Sequence, residues 1–138
     1  MLLSDKAYRV DAHKLVEAIS STLEKEKVEL PVHGDLIKTG CGRQYSPYEK
    51  NWFYTRMASI VRQAMCKDRV SMTGLAHKYG VRKNRGVKPT KFTRGSRYVI
   101  GKAIDNLVQL GWFDFNQTDG IITEKAGKVL EKIMADLK

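Results

Sequence analysis

Apolar residues return at helical spacing in five separate stretches of this chain, and only one short segment reads as paired strands. Ala12, Leu15, Val16, Ile19 and Leu23 fall at i, i+3, i+4, i+7 and i+11, one face of a helix predicted from Ser4 or Asp5 to Lys27. Phe53, Met57, Ile60, Val61, Ala64 and Met65 mark a second helix, Ser46 to about Cys66. Met72, Leu75, Ala76 and Tyr79 mark a third, Ser71 to Tyr79. Ile100, Ala103, Ile104, Leu107 and Val108 mark a fourth, from Gly95 or Ser96 to Gly111. The last begins after Thr123 and carries Ala126, Val129, Leu130, Ile133, Met134 and Leu137 on one face. Before it, Trp112 to Phe115 and Ile121-Ile122 flank a turn at Asn116 to Gly120 and read as a small hairpin. Such an order predicts a mainly α, winged helix-turn-helix domain with an extra N-terminal helix and a short β-hairpin wing. A chain of 138 residues is expected to form one domain, 1–138, with a core that needs no staples.

Local signals place the element ends. Ser46, Pro47 and Glu49 have the spacing of an N-cap, a first helical residue and a capping box. Proline at 31 pushes Val28 to Leu30 into extended backbone, and Asp35 to Thr39 suits one short helical turn. Gly40 to Gln44 reads as a flexible loop, and Gly80 as the C-terminal cap of the third helix. Gly86, Pro89 and Gly95 stop any helix between Val81 and Gly95, which reads as a basic loop.

Charge is segregated. From Arg56 to Lys102 there are 13 Lys or Arg and a single acid, Asp68; the remaining residues hold 12 bases and 14 acids. The net +10 is therefore +12 in the middle and −2 in the flanks. Seven cations between Arg82 and Arg97 repel one another unless something negative screens them, and the simplest counterpart is a polyanion. Arg82, Lys83, Arg85, Lys88, Lys91, Arg94 and Arg97, with Lys102 one helix turn on, are the candidate phosphate contacts. Arginine forks match phosphate oxygens in pairs, and lysine acts as a point charge.

At about 100° per residue, Trp52, Arg56, Ser59 and Gln63 share the side of the second helix opposite its apolar stripe, with Arg62 bordering them. Trp52 either packs against the rest of the chain or meets a partner, with Arg56 and Arg62 on phosphate. Tyr54 falls on the core side, where its hydroxyl needs a partner; Trp112 and Phe115 read as wing-to-core packing.

Other chemistry is not visible. No Walker loop, GxSxG, HExxH or paired Cys/His set occurs, so neither a metal nor another cofactor is expected, nor an enzyme or a small-molecule substrate. His13, His33 and His77 are scattered, and Cys41 and Cys66 lie 25 positions apart and read as free thiols. No run is apolar enough to span a membrane, and the N-terminus lacks the pattern of a secretory signal.

With these residues in view, the chain resembles the eukaryotic and archaeal family of small-subunit ribosomal protein nineteen. The resemblance rests on the run from Ser46 through Trp52-Phe53-Tyr54-Thr55-Arg56 to Ser59, on Arg85-Gly86-Val87-Lys88-Pro89, on Arg94-Gly95-Ser96 and on Tyr79-Gly80. It departs from the family at Val32-His33, where a tryptophan is usual, and in the wing turn, which has Asp119-Gly120. The resemblance implies a structural component of the small ribosomal subunit, bound to ribosomal RNA in the head beside neighbouring ribosomal proteins. It implies a need for the protein in maturation of the precursor RNA, and a cytoplasmic location with nucleolar passage in a eukaryote. On this likeness Trp52, Arg56 and Arg62 match the family's helix surface, and Arg82, Arg85, Lys88, Arg94 and Arg97 its RNA-facing region.

A second reading from the residues is a sequence-specific DNA regulator. There the helix after the basic loop would enter a major groove and read base edges with Asn106 and Gln109, although Asp105 beside them repels phosphate.

Overall fold

The computed structural model describes residues 2–26 and 28–137. The elements run α1 (Leu3–Arg9), α2 (Ala12–Lys25), α3 (Trp52–Lys67), β1 (Val70–Ser71), α4 (Met72–Lys78), β2 (Val81–Arg85), β3 (Lys88–Thr93), α5 (Arg97–Gln109), β4 (Phe113–Asn116), β5 (Asp119–Ile122) and α6 (Glu124–Asp136). About half of the chain is helical, and the arrangement is that of a mainly α winged-helix domain. Helices α3, α4 and α5 form the central unit. The β4–β5 wing pairs through β5 with β1 to give a three-stranded antiparallel sheet of order β1-β5-β4.

The core follows the apolar stripes. Phe53, Met57, Ile60, Val61, Ala64 and Met65 of α3 are at most 1% exposed. Leu15, Ile19 and Leu23 bring α2 onto α3, and Leu130 and Met134 bring α6 against α2. From α5, Ile100, Ala103, Ile104 and Leu107 are buried, but Val108 is 42% exposed and leaves the predicted stripe. Each fully buried aliphatic side chain contributes about 1.5–3 kcal/mol relative to exposure. Trp112 and Phe113 are buried, Phe115 packs on the core edge, and the Tyr54 hydroxyl donates to the Val28 carbonyl at 3.4 Å.

Five expectations about the elements and loops are corrected. The first predicted helix is two helices, because Asp11 caps α2 by accepting from the amides of His13 (2.9 Å) and Lys14 (3.5 Å); its expected end at Lys27 lies outside the described residues. The predicted turn at Asp35–Thr39 instead occupies Val32 to Leu36, turned by His33 at φ +57°. The second predicted helix starts not at Ser46 but at Trp52, with Asn51 in the cap position. Its first two apolar anchors are Trp52 and Phe53, whereas Tyr48 is fully exposed and nothing buried would hold an earlier turn.

The fourth concerns Val81 to Gly95, which is no loop. It is a two-stranded antiparallel ribbon, with Arg82 opposite Phe92, Lys83 opposite Lys91 and Arg85 opposite Lys88. Gly86, at φ +71°, opens the two-residue turn, and its amide donates to the Asn84 side chain at 2.9 Å. At its base the ribbon meets the body through close contacts that leave no room for a Cβ. One added at Gly80 would overlap the Phe92 ring and lie 2.6 Å from the Thr93 carbonyl oxygen. At Gly42 it would lie 2.6 Å from Thr93 Oγ1 and 2.7 Å from Val81 Cγ2. The Gly40–Gly42 stretch is therefore a tight seam rather than a flexible loop: Gly40 bridges Gly95, and the Ser96 amide donates to the Thr39 carbonyl at 2.8 Å.

Candidate nucleic-acid interface

The ribbon carries most of the candidate cations. Arg82, Lys83, Arg85, Lys88 and Lys91 are exposed on it, and Arg94 continues the exposed series to Arg97 and Lys102 on α5. No acid occurs between Arg69 and Ile104. Two of the cross-strand pairs are like-charged, Lys83 with Lys91 and Arg85 with Lys88, and such pairs destabilise a ribbon. Arg85 is drawn back over its own turn by an Nε bond to the Pro89 carbonyl at 2.8 Å. Among the described residues the one ion pair is Lys6 with Glu131 at 2.8 Å, on the far side of the sequence from the ribbon.

The body adds two cations that the sequence reading passed over. Lys38 and Arg43 line an open cleft of about 650 Å³ with Arg82 and Lys83, and Lys38 also faces Arg94 across the Gly40–Gly95 seam. Their signal was present as basic residues flanking Gly40-Cys41-Gly42, but the glycines masked it.

Arg56 and Trp52 stand beside this surface. The Arg56 guanidinium lies over the Tyr79 ring, 3.9 Å from its centroid. Tyr79 shares a 2.7 Å hydroxyl hydrogen bond with Ser59. Burial pulls the Arg56 pKa below its ordinary value, Tyr79 opposes that shift and the nearby Arg43 charge adds to it. Burial also raises the Tyr79 phenol. The Trp52 indole N–H donates to the Gly34 carbonyl at 3.2 Å and its ring meets Phe53 edge-on, so Trp52 packs and is half-exposed at once.

Two members of the predicted helix face do not join the surface. Gln63 is buried at 9% exposure. Arg62 is half-buried, with Nε enclosed and without a hydrogen-bond partner among the described residues, and it does not line the Arg56 cleft.

Cys41 and Cys66 are free thiols. Among the described residues no three His, Cys, Asp or Glu side chains gather where a metal could bind, and no helix is long and apolar enough to cross a membrane. The base-reading role considered for Asn106 is contradicted, because that side chain is 7% exposed and donates to the Glu29 carbonyl at 2.8 Å.

The molecule is thus a winged-helix domain with a cationic ribbon inserted between its second and third core helices. The model of the family described as ribosomal protein S19e matches residues 6–138. The chain is 38% identical over 133 residues to small ribosomal subunit protein eS19 of Encephalitozoon cuniculi (strain GB-M1), covering 95% of this chain and 96% of that protein. It is 30% identical over 126 residues to small ribosomal subunit protein eS19 of Oryza sativa subsp. japonica, covering 90% and 86%. The chain belongs to the ribosomal protein S19e family.

Proposed function

We propose that this protein is a structural constituent of the small ribosomal subunit, seated on ribosomal RNA by the ribbon, the start of α5 and the adjoining edge of α3. The observation that carries the reading is the pair of like-charged cross-strand contacts, Lys83 with Lys91 and Arg85 with Lys88, held apart from any acid. An arrangement that costs the isolated ribbon stability is relieved when phosphates lie against it. Family membership and the printed names of the relatives support the subunit assignment.

The contacts run through Arg82, Lys83, Arg85, Lys88, Lys91, Arg94, Arg97 and Lys102, with Arg56 and Trp52 as a second surface. The role is mechanical rather than catalytic: the protein neutralises phosphates at a folded RNA junction. Paired RNA hides its major groove, so recognition rests on backbone shape. The head of the subunit as its seat, neighbouring ribosomal proteins as partners, a part in precursor-RNA maturation, and work in the cytoplasm, after nucleolar assembly if the source is eukaryotic, follow from the family resemblance. No observation favours the DNA regulator.

Sedimentation of a lysate in magnesium tests the reading. The protein is expected to travel with the small subunit, and a form with Lys83, Lys88 and Lys91 changed to Glu is expected at the top of the gradient. Wild-type protein left at the top would reject the assignment.

A further inference from the structure

A cleft of about 570 Å³ lies where the 39–49 segment crosses α3, walled by Tyr45, Tyr48, Trp52 and Tyr79 and holding Arg43 and Arg56. We propose that this cleft receives a single unpaired nucleotide of the bound RNA, its base against the aromatic walls and its phosphate on the Arg43–Arg56 pair. The inference deepens the RNA-binding reading and rests on it.

Four features of the cleft carry it. Its volume lies within the roughly 300–1,000 Å³ of small-molecule sites, room for one nucleotide. The two guanidinium groups stand near enough for Arg43 to oppose the charge of Arg56, and neither has a carboxylate partner among the described residues. Paired arginines that no carboxylate neutralises by an ion pair suit an anion, and arginine's fork matches a phosphate. The free aromatic faces are those of Trp52, Tyr45 and Tyr48: the Trp52 N–H is used on Gly34, one face of Tyr79 is covered by Arg56, and Tyr45 and Tyr48 are 77% and 102% exposed. Base stacking on such faces tolerates any base.

The cleft is also continuous with the basic surface. Arg43 lines both this cleft and the one holding Arg82 and Lys83, so a backbone tracking the ribbon reaches the aromatic walls without leaving positive potential. Glu49 is the one carboxylate on the wall and forms no ion pair among the described residues.

The test compares a short RNA stem carrying one bulged nucleotide with the same stem fully paired, against the full chain. Trp112 is buried, so stacking at Trp52 reads out as quenching of intrinsic fluorescence. The bulged stem is expected to quench and to bind about 5- to 100-fold more tightly, the share one stacked base supplies. Tyr48→Ala, at a fully exposed position, is expected to remove that preference and leave the paired stem's affinity unchanged. Equal affinities without quenching overturn the cleft assignment while the RNA-binding reading stands; failure of both stems to bind overturns both. Quenching by an acidic peptide and not by RNA would give the cleft to a protein partner and overturn the proposal.

Discussion

The guanidinium of Arg56 and the ring of Tyr79 form a stacked pair, 3.9 Å from carbon to centroid, that ties α3 to the end of α4. The arginine is thus part of the fold as well as of the charged surface. A double-mutant cycle of Arg56→Gln and Tyr79→Leu is expected to give a coupling of about 0.5–2 kcal/mol in urea denaturation. Additive single effects would show that the pair contributes nothing.

Ile104 is 3% exposed inside α5. Ile104→Asp places an unpaired carboxylate in the core, a loss on the order of 4 kcal/mol or more. Circular dichroism is expected to show an unfolded or molten chain. A cooperative melt near the wild-type temperature would mean that the core side of α5 is misplaced.

How far these elements were legible in the sequence depends on what held them. Buried stripes were readable because Leu15, Phe53, Ile104 and Leu130 answer to periodicity alone. The start of α3 was not: Ser46, Pro47 and Glu49 carry a good local capping signal, but the anchor is the Trp52 bond to Gly34, 18 positions away. The ribbon was missed because both its faces meet solvent, so Lys83, Arg85, Lys88 and Lys91 show no apolar alternation. Only its base, Val81 with Thr93 and Phe92 on His77, has the usual marks of a strand. The charge on the surface was visible in composition, whereas the meeting of Lys38 and Arg43 with Arg82 depends on chain crossings that no local pattern encodes.

Asp11 gives the stability a pH dependence. Its two backbone hydrogen bonds, chiefly that from His13, hold its pKa below the ordinary aspartate value. The carboxylate's contribution is complete above that ordinary value, about 3.9, and is lost as pH falls through the lower folded one. Asp11→Asn keeps the cap and cannot titrate. The stability advantage of wild type over Asp11→Asn is expected to shrink below about pH 4. A difference constant from pH 7 to pH 2 would remove Asp11 from the acid limb.

Two glycines are expected to respond in opposite directions. Gly80→Ala drives a methyl into the Phe92 ring and the Thr93 backbone, with a cost of about 1–3 kcal/mol and faster hydrogen exchange in the ribbon. Gly127→Ala, in α6 with nothing within 4 Å, is expected to stabilise by about 0.4–1 kcal/mol. Equal effects at the two sites would contradict the tight ribbon seam.

The most direct measurement is the paired comparison of stability and RNA affinity in Lys83→Glu, since Lys83 faces Lys91 across the ribbon. An opposite-charge pair there is expected to raise or preserve stability, by up to about 1 kcal/mol, while weakening binding to small-subunit RNA. If six of the eight ribbon and α5 cations meet phosphate at once, the wild-type slope of log affinity against log salt is on the order of −4 to −5, and it becomes shallower in the variant. A Lys83→Glu protein that binds this RNA with wild-type affinity and an unchanged salt slope would contradict the account.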